Sequence, residues 1–169
     1  MHRLLAPSLI LAATLAAASA HAATPKDALV MAWNLDALIT LDPAQIGEVN
    51  GNDIMINVCN RLVQPNIKDV AKIEPQLAES WSTSADGMTL TFKMRKDLKF
   101  PSGKAATAHD AAWSLKRAIH LNFGNAANLK EWGFSSEKAD QQFVATDDHT
   151  LVVKMDKPYP VGLVMSAAF

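Results

Sequence analysis

Cysteine is all but absent from this chain of 169 residues: Cys59 is the only one, so no internal disulfide can form in any compartment, and a buried, inert thiol is expected there. Charge of one sign is not in excess either. Sixteen Lys and Arg face 17 Asp and Glu, for a formal net charge of −1, and such a balance offers a nucleic acid nothing to hold. Catalytic signatures are missing: there is no GxSxG elbow, no HExxH, no phosphate loop and no Cys/His cluster at metal spacing. Nothing therefore argues for an enzyme, a cofactor or a metal. His109 and His120, eleven residues apart on one helical face, would be compatible with a two-histidine metal site, and Asp147-Asp148-His149 with a ligand cluster. Solvated helix histidines and a turn between strands explain both without a metal.

What is present begins with an address. Residues 1–22 carry a basic Arg3, an apolar run over residues 9–18 and the small-x-small site Ala20-His21-Ala22, the pattern of a secretory signal peptide. A membrane anchor is the rival reading, but this run is too short and too rich in alanine for about 30 Å of hydrocarbon. No cysteine stands at the cleavage site, so a soluble periplasmic product beginning at Ala23 is expected, without a lipid anchor. Loss of Arg3 leaves 15 basic against 17 acidic residues, a net charge of −2. The remaining 147 residues are ample for one core.

Along the mature chain, residues 29–34 (LVMAWN) form a compact apolar run that reads as a buried strand. Residues 35–51, punctuated by Pro43, Gly47 and Gly51, read as an extended loop. Asn52 is placed to cap a helix with Ile54, Met55, Val58, Cys59 and Leu62 at helical spacing, ending where Val63-Gln64-Pro65 turns away. Residues 67–73 read as a strand or turn, and 76–79 as a short turn of helix. Residues 122–140 look irregular, with Phe123, Trp132 and Phe134 as anchors. Residues 143–146 and 150–155 flank Asp147-Asp148-His149 as a second hairpin. The last stretch, 161–169, is apolar with no cap or turn after it, which is unusual for a natural carboxyl terminus.

The chain is organised around residues 75–118. From Thr89 to Arg95 the residues alternate, so Leu90, Phe92 and Met94 share one face, and Asp86-Gly87 just before supplies the positive φ of a hairpin turn, with residues 81–84 as the partner strand. Pro101 and Gly103 break the chain. Thr107 and Asp110 then form a capping-box variant opening a helix to about Leu121, whose stripe of Ala111, Leu115, Ala118 and Ile119 should cover the hairpin's apolar face. Trp81 and Trp113, conceivable as stacking platforms, are expected to pack at the core or its rim. Arg95, Lys96 and Lys99 are expected on a solvated strand face.

This order of elements resembles the family 5 extracellular solute-binding proteins, the periplasmic oligopeptide, dipeptide and nickel receptors of ABC importers. The resemblance rests on Ala78, Trp81, Asp86-Gly87, Leu90, Phe92, Arg95, Lys96, Phe100, Gly103, Thr107 and Asp110 at fixed spacing, with Leu41-Asp42-Pro43 upstream and residues 147–160 downstream. It implies an α/β fold, part of the first lobe of a two-lobed periplasmic binding protein of class II type, with a mixed sheet, hairpins and flanking helices. Residues 23–169 would be a partial amino-terminal lobe, the second lobe being absent. Ser102 stands where an Asp commonly precedes Gly103, Gly47 where some peptide receptors carry an acid, and Cys59-Asn60-Arg61-Leu62 where a Glu-Gly-Leu pattern is commoner.

Binding rather than catalysis is what the resemblance implies. Two lobes close over a ligand, and a peptide's backbone pairs with an extended receptor segment, here Ile46, Gly47, Glu48 and Val49; an ordinary surface loop is the alternative. The expected partners are a peptide or other small solute and the membrane permease of an ABC importer, with the protein a monomer. A nickel or other small-solute receptor and a stand-alone interaction module are the competing functions, with a hydrolase further behind.

Overall fold

The computed structural model describes residues 24–124 and 126–161, with the backbone alone at Leu35. The signal pattern and residues 162–169 lie outside the described residues. The chain divides into two compact units, Met1–Trp33 and Asn34–Phe169. In the first, the described backbone has one turn, closed by the Ala28 N–H on the Pro25 carbonyl at 3.0 Å, and no strand. The strand expected at residues 29–34 is therefore not formed, because an apolar run needs a neighbouring strand for its N–H and C=O groups and the described residues provide none.

The second unit holds every helix and strand among the described residues. After a 3-10 turn at Leu35–Ala37 come α1 (Val49–Val58), the hairpin β1 (Val63–Pro65) and β2 (Ile73–Pro75), then β3 (Ala78–Thr83) and β4 (Thr89–Met94). Helices α2 (Ala108–Leu121), α3 (Ala126–Glu131) and α4 (Ala139–Gln142) lead into β5 (Phe143–Asp147) and β6 (Thr150–Lys154). The last four strands make one antiparallel sheet in the order β3-β4-β6-β5.

Strand β4 sits inside that sheet, and its alternation is what the core is built on. Leu90, Phe92 and Met94 are buried while Lys93 between them is exposed. In register, Phe92 lies between Trp81 and Leu151, and Leu90 opposite Val153. Gly87 supplies φ +73° in the turn, which the Ser84 and Gly87 amides close onto Thr89 and Ser84. Each such side chain removed fully from water contributes about 1.5–3 kcal/mol before entropy is counted.

Helix α2 begins at a capping box: the Asp110 carboxylate accepts the Thr107 backbone N–H at 2.8 Å and the Thr107 hydroxyl at 3.0 Å. It ends on Asn122 in the left-handed region, φ 57°. Ala108, Ala112, Leu115 and Ile119 are buried, with Ala111 and Ala118 at the edge of the core. The helix lies mainly over β5 and β6 rather than over the β3-β4 hairpin, so the apolar face of β4 is reached through the shared core. Phe134 and Phe143 meet there with ring centroids 4.7 Å apart.

Several local expectations are corrected. Asn52 does not cap α1; Glu48 does, and the Asn52 backbone and side-chain amides both turn back onto the Glu48 carbonyl at 3.2 and 3.1 Å. Val63-Gln64-Pro65 is a strand, not a turn, paired with β2, and Asn66 makes the turn instead by accepting the amides of Lys68 and Asp69. Residues 76–79 are not helical, because the Leu77 and Ala78 amides are taken by the carbonyls of Arg61 and Leu62. Residues 122–140 contain helix α3 and the start of α4; α3 is held by fully buried Leu129, too short a pattern to show a period. Trp81 packs at the rim of the core as expected, whereas Trp113 is 63% exposed.

Candidate ligand-binding segment

The segment Ile46 to Val49 lies between a turn and the start of α1, and its geometry is set mainly by Asp42. The Asp42 carbonyl takes the amides of Gln45 and Ile46 at 2.9 and 3.2 Å. Its carboxylate takes the Ala44 amide at 3.1 Å and the Gln45 side chain at 2.7 Å. Across the fold, Arg117 of α2 grips the same carboxylate with both arms of its guanidinium, Nη1 to Oδ1 at 2.7 Å and Nη2 to Oδ2 at 2.5 Å. These Arg117 hydrogen bonds hold the Asp42 carboxyl far below the usual carboxylate range, and the Arg117 guanidinium is raised in turn by Asp42. A fork meeting a carboxylate fixes direction as well as distance, which a single point charge does not.

A second tie comes from the loop after α2. Gly124 has φ +45°, and a Cβ there would stand 1.8 Å from the Ile46 carbonyl oxygen; a Cβ on Gly47 would stand 2.9 Å from the Gly124 Cα. Two backbones touch here with no side chain between them, which only glycine permits. Ile46 itself is fully buried and anchors the segment from below.

Above that anchor the chain is open. Glu48 is extended, φ −103° and ψ 157°, and Val49 begins the helix with its side chain 73% exposed. Among the described residues, the Gly47 carbonyl and the Glu48 N–H have no hydrogen-bond partner. The Glu48 carboxylate accepts the Gly47 N–H through Oε2 at 3.1 Å, while Oε1 is buried without a partner. An acid at the amino end of α1 is favoured there by the helix dipole. The Gly47 carbonyl and the Glu48 N–H are the ends of one trans peptide unit and point to opposite sides of the chain, so a ligand on one side meets one of them.

Beside the root of this segment runs an open groove of about 680 Å³, walled by Leu62, Leu77, Met94, Leu98, Phe100 and Leu115 and reaching Pro43. Cys59 forms part of its wall; the thiol is half-buried rather than fully buried, with Sγ 3.6 Å from Met55 Sδ.

The other residues singled out in the sequence are not brought to this segment. His109 faces Asp148 at 3.6 Å on the surface, and no group of three acid, His or Cys side chains among the described residues is set to hold a metal ion. Arg95 pairs with Asp97 at 2.8 Å in solvent. Arg117 and Gly124, which hold the segment, carry no signal in local sequence: one looks like an ordinary solvated helix residue, the other like a loop glycine.

This mixed α/β arrangement is the fold of two-lobed periplasmic binding proteins. The chain belongs to the bacterial extracellular solute-binding proteins, family 5: residues 72–169 match the family described as "Bacterial extracellular solute-binding proteins, family 5 Middle". It is 32% identical over 143 residues to the probable D,D-dipeptide-binding periplasmic protein DdpA of Escherichia coli, covering 83% of this chain and 26% of that one. It is 30% identical over 132 residues to the periplasmic oligopeptide-binding protein OppA of the same organism, covering 72% and 24%. The structure of the Escherichia coli murein tripeptide binding protein MppA superposes with a TM-score of 0.64 at 27% identity, over 73% of this chain and 26% of that one. The chain therefore spans about a quarter of the length of the relatives it matches. Among the described residues, no helix is long and apolar enough to cross a membrane.

Proposed function

We propose that this chain is the amino-terminal portion of a periplasmic receptor that delivers short peptides to the permease of an ABC importer. The observation that carries the reading is the open peptide group between Gly47 and Glu48, whose N–H and carbonyl, on opposite sides of the chain, have no partner among the described residues, seated on buried Ile46 and pinned by Asp42. A hydrogen bond from such a group to a peptide's backbone is indifferent to the peptide's side chains, which suits uptake of many sequences. The matched relatives, named as a probable D,D-dipeptide-binding, an oligopeptide-binding and a murein tripeptide binding protein, support the same class of ligand.

In this reading Ile46, Gly47, Glu48 and Val49 are one wall of the site, the other wall belonging to a second lobe. The receptor acts as a monomer, without a cofactor or nucleic acid, and is exported by its first 22 residues. Amino-terminal sequencing of protein recovered from the periplasm checks the last point and should begin at Ala23. A ligand cleft normally buries most of its ligand, and one wall cannot. Calorimetric titration with a pool of di- and tripeptides tests the function: the complete gene product shows saturable heat, and residues 23–169 alone show none. Absence of binding by the complete protein, or micromolar binding by residues 23–169, would refute this assignment of the site.

A further inference from the structure

We propose that Arg117 is a positioning residue for the ligand edge, setting the register of Gly47 and Glu48 from the surface of helix α2 through Asp42. The proposal rests on the peptide-binding reading above, and it assigns a task to three features that the core does not use.

Arg117 lies in the last two turns of α2, on a helix whose opposite face is fixed in the core by Leu115 and Ile119. Its guanidinium is thus carried by a helix seated in the core. Both of its arms end on the Asp42 carboxylate, 75 residues away in sequence, and that residue's carbonyl and carboxylate organise the turn leading to Ile46. Trp113, one helical turn before Arg117, completes the device: the guanidinium carbon lies 5.7 Å from the centre of its ring. A planar cation stacked on an aromatic face is restricted in the rotation that would otherwise loosen a bidentate pair. The exposure of Trp113, which packing cannot explain, follows from this role. Gly124 acts at the other end, where its backbone lies against the Ile46 carbonyl and leaves the segment no room to slide toward α2. One helix and the loop that follows it therefore hold the edge at its root and at its middle.

Orientation matters here because the open groups are the two ends of one trans peptide unit, and only the end that faces the ligand can bond to it. A small rotation of that peptide plane turns the ligand-facing group away, and the peptide loses a backbone bond while the β3-β4-β6-β5 sheet is unchanged. A lysine at 117 would keep the charge and the reach but replace the fork by one rotatable point charge.

The test uses the complete protein, with di- and tripeptides as ligand, and compares wild type with Arg117→Lys, Trp113→Ala, Gly124→Ala and Glu48→Pro. Affinity is read by calorimetry, and local order by amide hydrogen exchange at residues 46–50 and in strand β4. Arg117→Lys is expected to weaken peptide binding roughly fivefold to tenfold, with faster exchange over 46–50 and unchanged exchange in β4. Trp113→Ala should give a smaller loss of the same kind, about twofold to threefold. Gly124→Ala should weaken binding with Arg117 intact, because it displaces the same carbonyl. Unchanged affinity and exchange in Arg117→Lys would overturn the proposal, as would exchange rising equally in β4, which marks a merely structural pair. Glu48→Pro separates the two claims, since it deletes the N–H itself. If it leaves affinity unchanged, the segment is not the peptide edge, and the exchange data still decide whether Arg117 orders it.

Discussion

The four-stranded sheet and the segment from Asp42 to Val49 are held by different forces. Strand β4 is fixed by apolar burial that alternates residue by residue, with Leu90 and Phe92 fully removed from water and cross-strand partners on both sides. The segment from Asp42 to Val49 has one buried apolar anchor, Ile46, and is otherwise fixed by an ion pair, carboxylate-capped amides and a glycine-glycine backbone contact. Burial is strong but without direction, whereas hydrogen bonds are weaker and specify angles. A scaffold needs the first, and a backbone segment held at a set angle needs the second.

The largest effect that would sharpen this contrast is in the sheet. Phe92→Ala should destabilise the protein by about 3–5 kcal/mol in denaturant unfolding, as expected for emptying a packed core site. A loss below about 1 kcal/mol would mean that β4 is not the centre of the core.

Next in size is the acid dependence of the Asp42 pair. Because the folded-state pKa of Asp42 is depressed, its contribution is complete above the ordinary carboxylate value near pH 4 and is lost as pH falls below it. Asp42→Asn should therefore cost about 1 kcal/mol at pH 7, allowing for solvent screening of a side chain that is 24% exposed, and the gap to wild type should close as pH drops below about 4. Other depressed acids, Asp110 and Asp140 among them, are common to both proteins and cancel in the difference. A gap independent of pH would deny the ion pair its role.

The smallest effect is Lys93→Ala, on the wet face of β4. Its ammonium reaches the Thr150 hydroxyl at 2.9 Å, and its removal should cost under about 0.5 kcal/mol in the same unfolding experiment. A cost approaching that of Phe92→Ala would mean that the two faces had been exchanged.

The same division explains what could be read from the sequence. The alternation of residues 89–95, the Asp86-Gly87 turn, the Thr107/Asp110 box and the second hairpin at 147–149 are each written within a few neighbouring residues, and each is present in the structure. Strands β1 and β2, three residues each, are too short to show a period and exist because they pair with each other. The turn of helix expected over 76–79 gave way to backbone pairing with Arg61 and Leu62, a contact between distant residues. The tie that shapes the segment over 42–49 joins positions 42 and 117, and neither residue type nor spacing announces it. Trp113 misled for the same reason: its hydrophobic bulk argued for the core, while its place is over a cation on the surface.

The central claim is that the Gly47-Glu48 backbone is the edge to which a peptide pairs, and amide hydrogen exchange at Glu48 in the complete protein tests it most directly. Saturating dipeptide or tripeptide should slow exchange of the Glu48 N–H at least about tenfold, the protection expected when an exposed amide gains a hydrogen bond of about 1.4 kcal/mol, while the amides of β4 stay as they were. Full occupancy of the peptide site with the Glu48 amide exchanging at its free rate would contradict the account.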